Sequence, residues 1–125
     1  MNKYRGLDKF GKYRHGALEV EKGLNNKTKF YIKSTNENGV SSKFEIYEST
    51  VSVYTGFKDL DGREIYENDV YTFEIGPSDF KIERIALVKY FASTRKWYIG
   101  DLPIENAFKV LPDLKFRNIL NMKEN

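Results

Sequence analysis

The chain has 125 residues, 40% hydrophobic and 31% charged, a composition that fits a globular domain with its own core and not a disordered segment. Its 21 Lys+Arg against 18 Asp+Glu leave a net charge of +3, too small an excess to declare an acidic partner. With no cysteine and a single histidine, the chain cannot form disulfides, thiolate zinc sites, a Cys nucleophile or an intrachain metal site needing two imidazoles.

Met1-Asn2-Lys3-Tyr4-Arg5 leads straight into charged residues and shows no targeting signal. The longest apolar runs, such as Ile85-Ala86-Leu87-Val88, fall far short of the ~20 residues of a membrane helix. The expectation is a cytoplasmic protein with no membrane partner.

Nine Tyr and nine Phe with three Pro and nine Gly fit short strands joined by tight turns. Lys3–Leu7 reads as a strand, followed by an Asp8-Lys9-Phe10-Gly11-Lys12 turn. Ala17–Glu21 alternates, and so does Thr28–Lys33, with Phe30 and Ile32 against Lys29, Tyr31 and Lys33. Asn36-Glu37-Asn38-Gly39 is a turn of residues that tolerate φ > 0. Phe44–Tyr47 and Val51–Tyr54 read as the next strands.

Asp61-Gly62 lies between two strand-like runs and predicts a type I′ hairpin turn. Glu64-Ile65-Tyr66 leads to a second turn, Glu67-Asn68-Asp69, in which Asn68 occupies the left-handed position. Val70–Ile75 follows as a strand. By analogy, such a corner points to a small curved sheet of the SH3-like kind. Phe80–Phe91 reads as a long strand with a bulge near Ile85-Ala86, and Arg95–Gly100 as its return. Leu102–Phe108 suggests a helical turn, and Pro112–Met122 a short C-terminal helix with Pro112 in its first turn.

Two stretches carry a family resemblance. One is Tyr4-Arg5-Gly6 with Asp8-Lys9-Phe10-Gly11-Lys12-Tyr13-Arg14-His15-Gly16. The other is Tyr54-Thr55-Gly56-Phe57-Lys58-Asp59-Leu60-Asp61-Gly62-Arg63-Glu64-Ile65-Tyr66-Glu67-Asn68-Asp69-Val70. Over residues 3–101 the chain resembles the YopX family of phage and prophage proteins. Phe57 stands where that family usually has Leu, and Asn68 where it has Gly. The resemblance implies a mainly β protein with an SH3-like element, encoded by a Gram-positive phage or prophage. It implies no particular reaction.

The expected architecture is therefore mainly β: an SH3-like barrel or curved antiparallel sheet with a short C-terminal helix. Residues 1–125 form one domain, with a 1–53 N-terminal β portion, a 54–101 SH3-like core and a 102–125 C-terminal extension. Tyr54, Thr55, Gly56, Asp61, Gly62, Ile65, Tyr66, Asn68 and Asp69 are its structural motif.

Asp59, Asp61, Glu64, Glu67 and Asp69 form the densest carboxylate cluster. Hard cations want such oxygens, but the spacing is not that of an EF-hand: counting twelve from Phe57 reaches Asn68, not Glu. Turn formation explains these acids better. Glu64 and Asp69 make a poor hydrolase pair without a cleft, and His15, which as a general base would need a nucleophile and an orienting partner, fits a surface or packing role better. Trp97 fits a packed strand. No catalytic residue, metal site or cofactor is expected.

Residues 1–33 carry nine basic residues against three acids, a local +6, so residues 34–125 sum to −3. Lys3, Tyr4, Arg5, Lys12, Tyr13, Arg14, Lys29, Tyr31 and Lys33 interleave charge with aromatic rings, as surfaces that hold single-stranded nucleic acid do. Lysines on strands also guard sheet edges against aggregation. The leading expectation is a non-enzymatic accessory protein that binds a host or phage protein and self-associates. Single-stranded nucleic acid is the alternative ligand of the N-terminal strands.

Overall fold

One turn design recurs along the chain and sets where strands begin and end. Asp8, Asn36 and Asp59 each open a five-residue turn with glycine fourth. In each, the N–H of the first residue donates to the carbonyl of the fifth, at 2.8, 2.9 and 2.9 Å. The glycine N–H donates back to the carbonyl of the first, at 3.2, 3.0 and 3.0 Å. Oδ1 of the first residue accepts the N–H groups of the third and fifth at 2.8–3.0 Å. The glycines lie at φ +85, +79 and +81°, where an L side chain is strained. Gly23–Lys27 closes in the same way, with Asn26 at φ +61° in the glycine position.

The Asp61-Gly62 turn thus differs from expectation. A type I′ turn needs positive φ at both central residues, and only Gly62 has it. The loop is Leu60-Asp61-Gly62, organised by the Asp59 side chain, whose two extra hydrogen bonds the two-residue turn would not make.

The computed structural model describes residues 2–117, and its contacts divide the chain into two compact units, Met1–Tyr54 and Thr55–Asn125. The first unit holds β1 (Tyr4–Leu7), β2 (Tyr13–Lys22), β3 (Thr28–Thr35), β4 (Ser41–Ile46), a 3-10 turn over Glu48–Thr50 and the start of β5 (Ser52–Lys58). Their order is β4-β3-β2-β1-β5. Every pairing is antiparallel, with Ile32 opposite both Leu18 and Phe44, and Tyr4 opposite Gly16 and Val53. Ile32 and Ile46 are its buried apolar side chains. At Gly16 a Cβ would fall 2.1 Å from the carbonyl oxygen of Lys33, so the close approach of β2 to β3 requires glycine there.

The second unit holds the rest of β5, then β6 (Glu64–Tyr66), β7 (Val70–Ile75), β8 (Ile82–Phe91), β9 (Lys96–Ile99), β10 (Leu102–Pro103), α1 (Ile104–Val110) and β11 (Lys115–Arg117). β6 neighbours β5, and the larger sheet runs β10-β9-β8-β7-β11, antiparallel throughout. Alternation along β8 sends Ala86 and Val88 inward, where they pack with Ile65, Tyr71, Ile99, Ile104, Ala107 and Leu114. Phe108 and Phe116 meet Tyr71 edge-on at 5.9 and 5.8 Å between ring centroids.

Among the described residues the fold is mainly β, with two antiparallel sheets and one short helix. Among the described residues no pairing closes either sheet into a barrel. The helix falls on the stretch expected to make a helical turn, 102–108, and not on the C-terminal helix expected from Pro112. It spans Ile104–Val110, Pro112-Asp113 is a turn, and Lys115–Arg117 is a strand on β7. Residues 118–122 of the expected helix lie outside the described residues. The apolar spacing Ile104, Ala107, Phe108, Leu111 marks the true helix, and its burial against β9 and β10 stabilises seven residues that could not stand alone. Nor does β8 bulge at Ile85-Ala86, since its register with β7 runs unbroken from Ile82 to Leu87. No helix among the described residues is long and apolar enough to cross a membrane.

Candidate functional site

Three surfaces are candidates, two marked by the sequence and one by the structure. The first is the basic, aromatic face of the N-terminal strands. Register places Lys29, Tyr31 and Lys33 of β3 on one side of the sheet, opposite Glu21, Glu19 and Ala17 of β2. Lys33 lies 3.9 Å from Glu19, and Lys43 of β4 reaches both Glu19 (3.8 Å) and Glu21 (2.5 Å). The Lys43 hydrogen bond holds the Glu21 carboxyl below its ordinary pKa, and the Lys43 ammonium rises correspondingly.

The arginines are structural. Arg5 is 5% exposed on β1, with its guanidinium 5.4 Å from the centroid of the Tyr13 ring. Arg14 donates from Nε to Asp8 Oδ2 at 2.8 Å, and its guanidinium lies 3.7 Å from the Phe44 centroid. Lys43 covers Tyr31 at 4.5 Å and Lys9 covers Tyr47 at 4.2 Å. Cations therefore occupy ring faces that a stacked base would need. Tyr4 and Lys3 are half-buried. Lys12 is exposed at the end of the Asp8 turn. The nine residues do not form one platform.

At the far end of the β2–β3 hairpin the balance differs. A concavity of about 390 Å³ is lined by Lys22, Lys27, Lys29, Leu24, Asn25 and Tyr31, with Glu21 and Gly23. Of these, the alternation of charge and ring in the sequence marks Lys29 and Tyr31 but misses Lys22 and Lys27. The signal for them is present in the spacing of the three lysines around Gly23–Asn26.

The second surface is the carboxylate corner. Asp59 gives Oδ1 to the turn and accepts the Tyr71 hydroxyl on Oδ2 at 2.9 Å. Asp69 is 1% exposed and its Oδ2 accepts the Tyr66 N–H at 2.8 Å. Glu64 accepts the Tyr66 hydroxyl at 3.0 Å. Burial, then the hydrogen bond to Asp59, push the Tyr71 phenol far above its ordinary pKa. Asp61 is exposed in the turn.

The other motif residues have backbone and packing roles. Tyr54 donates its N–H to Lys3, and Gly56 and Asn68 lie at φ +88 and +70°. Thr55 donates its hydroxyl to the Ile65 carbonyl at 2.8 Å. Ile65 and Tyr66 are buried. These acids fasten a hairpin, and no group of three or more His, Asp or Glu able to hold a metal occurs among the described residues.

The third surface is not foreseeable from the sequence. With Ala86 and Val88 in the core, the other face of β8 should be polar. It carries Ile85 at 51% exposure, Leu87 at 44% and Phe91 at 46%, with the Tyr98 ring 4.9 Å from Phe91. Ile75, Phe80 and Ile82 at the end of the β7–β8 hairpin are exposed as well. A continuous apolar run is visible in the sequence; that both its faces are apolar while only one is buried is not.

No curated protein and no solved structure matches this chain. The family model described as YopX protein matches residues 3–119, which takes in both units and every motif residue above. The chain belongs to the YopX family.

Proposed function

We propose that this chain is a small phage-type accessory protein that works without catalysis, as a binding module for a host or phage protein in the host-cell cytoplasm. The observation that carries this reading is the outer face of β8, where Ile85, Leu87 and Phe91 remain exposed opposite a packed core. Apolar side chains clustered in this way are a feature of interaction surfaces. Self-association through the same face belongs to the proposal, and so does SH3-like kinship of the 54–101 segment, which the tight Asp59–Arg63 corner and the β7–β8–β9 meander support.

Affinity capture from nuclease-treated host lysate tests it. Wild-type chain retains a partner, and an Ile85→Lys/Leu87→Glu variant loses it while keeping the wild-type unfolding midpoint. Equal capture by both forms refutes the reading. Light scattering addresses self-association: a clean monomer at high concentration removes that part.

The second reading is single-stranded nucleic acid on the N-terminal strands, favoured by the local +6 of residues 1–33. The covered rings of Tyr13, Tyr31, Phe44 and Tyr47 weaken its stacking component.

A further inference from the structure

The β2–β3 hairpin ends in a basic tip. Lys29 stands opposite Glu21, Lys22 opposite Thr28, and Lys27 immediately before β3, and all three line the same concavity. The acid among these residues, Glu21, bonds Lys43 at 2.5 Å and feels Lys29 more weakly. Three lysines thus share a lining whose carboxylate is already engaged. All three are exposed, and the apex residue Leu24 is fully exposed.

We propose that this tip grips the phosphate backbone of double-stranded nucleic acid. The inference rests on the nucleic-acid reading above but changes its mode and its residues. Stacking on Tyr13 and Tyr31 would compete with Arg5 and Lys43 for the ring faces. Phosphate contact needs only exposed ammonium groups, and a two-stranded ribbon fits the major groove of a duplex. Binding of this kind is sequence-tolerant and salt-sensitive.

Fluorescence anisotropy with a labelled DNA duplex and the matching single strand, over a salt series, is the test. Three phosphate contacts give a slope of about −2.7 in log affinity against log salt, or about 40-fold loss between roughly 50 and 200 mM salt. The Lys22→Gln/Lys27→Gln/Lys29→Gln variant loses duplex binding. A variant with the same charge change elsewhere, Lys58→Gln/Lys81→Gln/Lys109→Gln, keeps it. Circular dichroism and unfolding midpoints equal to wild type establish that both fold.

Duplex binding that survives in the first variant overturns the tip assignment. So does polyglutamate competing as well as duplex at equal charge. A chain that prefers the single strand, and loses it on Tyr31→Ala/Lys33→Gln, overturns the phosphate mode while the broader nucleic-acid reading stands. No binding to either probe at low salt overturns both.

Discussion

Arg14 and Asp8 are joined by a 2.8 Å hydrogen bond from Nε to Oδ2, while Oδ1 of the same carboxylate holds the N–H groups of Phe10 and Lys12. One side chain therefore shapes the turn between β1 and β2 and anchors the cation that lies over Phe44. Burial works to raise the Asp8 carboxyl, but the Lys12 N–H, the Arg14 guanidinium and the Phe10 N–H outweigh it and hold the pKa below its ordinary value.

The pH dependence follows from that direction. A carboxyl depressed in the folded state contributes stability that is present above its unfolded pKa, about 3.9, and is lost as pH falls through the lower folded value. Asp8→Asn keeps the turn acceptor, as Asn36 does in its own turn, but removes the charge from Arg14. Its urea midpoint is expected to fall at pH 7 and to change less than wild type as pH is lowered below about 5.

Tyr71→Phe removes the hydroxyl that Asp59 accepts and leaves the ring among Phe108 and Phe116. The expected loss is about 1.5 kcal/mol, since the bond is to a charged group. A phenol whose folded pKa is raised contributes stability that is intact below its unfolded pKa, about 10, and declines as pH rises above it. The alkaline limb of a denaturation series should therefore be shallower in Tyr71→Phe than in wild type.

Two glycines, both at positive φ, differ in crowding. Gly62 lies at φ +81°, and a Cβ added there would meet nothing within 4 Å, so Gly62→Ala should cost about 1 kcal/mol from backbone conformation alone. At Gly16 the added carbon would meet the Lys33 carbonyl oxygen at 2.1 Å. Gly16→Ala should cost at least ~2 kcal/mol, because the backbone must move. Equal unfolding midpoints for the two would contradict this account.

Asn68 has φ +70° and accepts Lys89 Nζ on Oδ1 at 2.6 Å. Asn68→Gly should stay within about 0.5 kcal/mol of wild type, while Asn68→Ala loses about 1 kcal/mol. Chemical denaturation of the pair checks it.

Leu114 is 7% exposed in the core of the second unit, although it lies beyond the helix in the segment expected to be an extension. Leu114→Ala should cost about 2–4 kcal/mol. A change under about 0.5 kcal/mol would show that this segment does not support the core.

Local chemistry is readable from the residues themselves. Asn68 at positive φ, the positions of the glycine-bearing turns and the alternation of β3 and β7 depend on neighbours a few positions apart, so residue type reads them out. The family block at 54–70 is legible for the same reason, being one contiguous corner. The loop type at Asp61-Gly62 is not, because an Asp-Gly pair also suits a two-residue turn, and the bonds of the Asp59 side chain to the Asp61 and Arg63 N–H groups decide for the longer loop. The helix is hard to place because seven residues have no independent helical stability, and burial of Ile104 and Ala107 against β9 and β10 selects the segment.

Charge shows the division best. Counting alone determined that residues 1–33 carry +6. Only the tertiary structure decided which of those cations are engaged. Arg14 meets Asp8 six residues away, and Glu21 finds Lys43 twenty-two residues away across β3, while Lys22 and Lys27 at the hairpin tip have no ion pair among the described residues. Coulomb attraction weakens with distance and is screened beyond about 10 Å in salt water, and strand register, not sequence separation, sets which charges come within ion-pair reach.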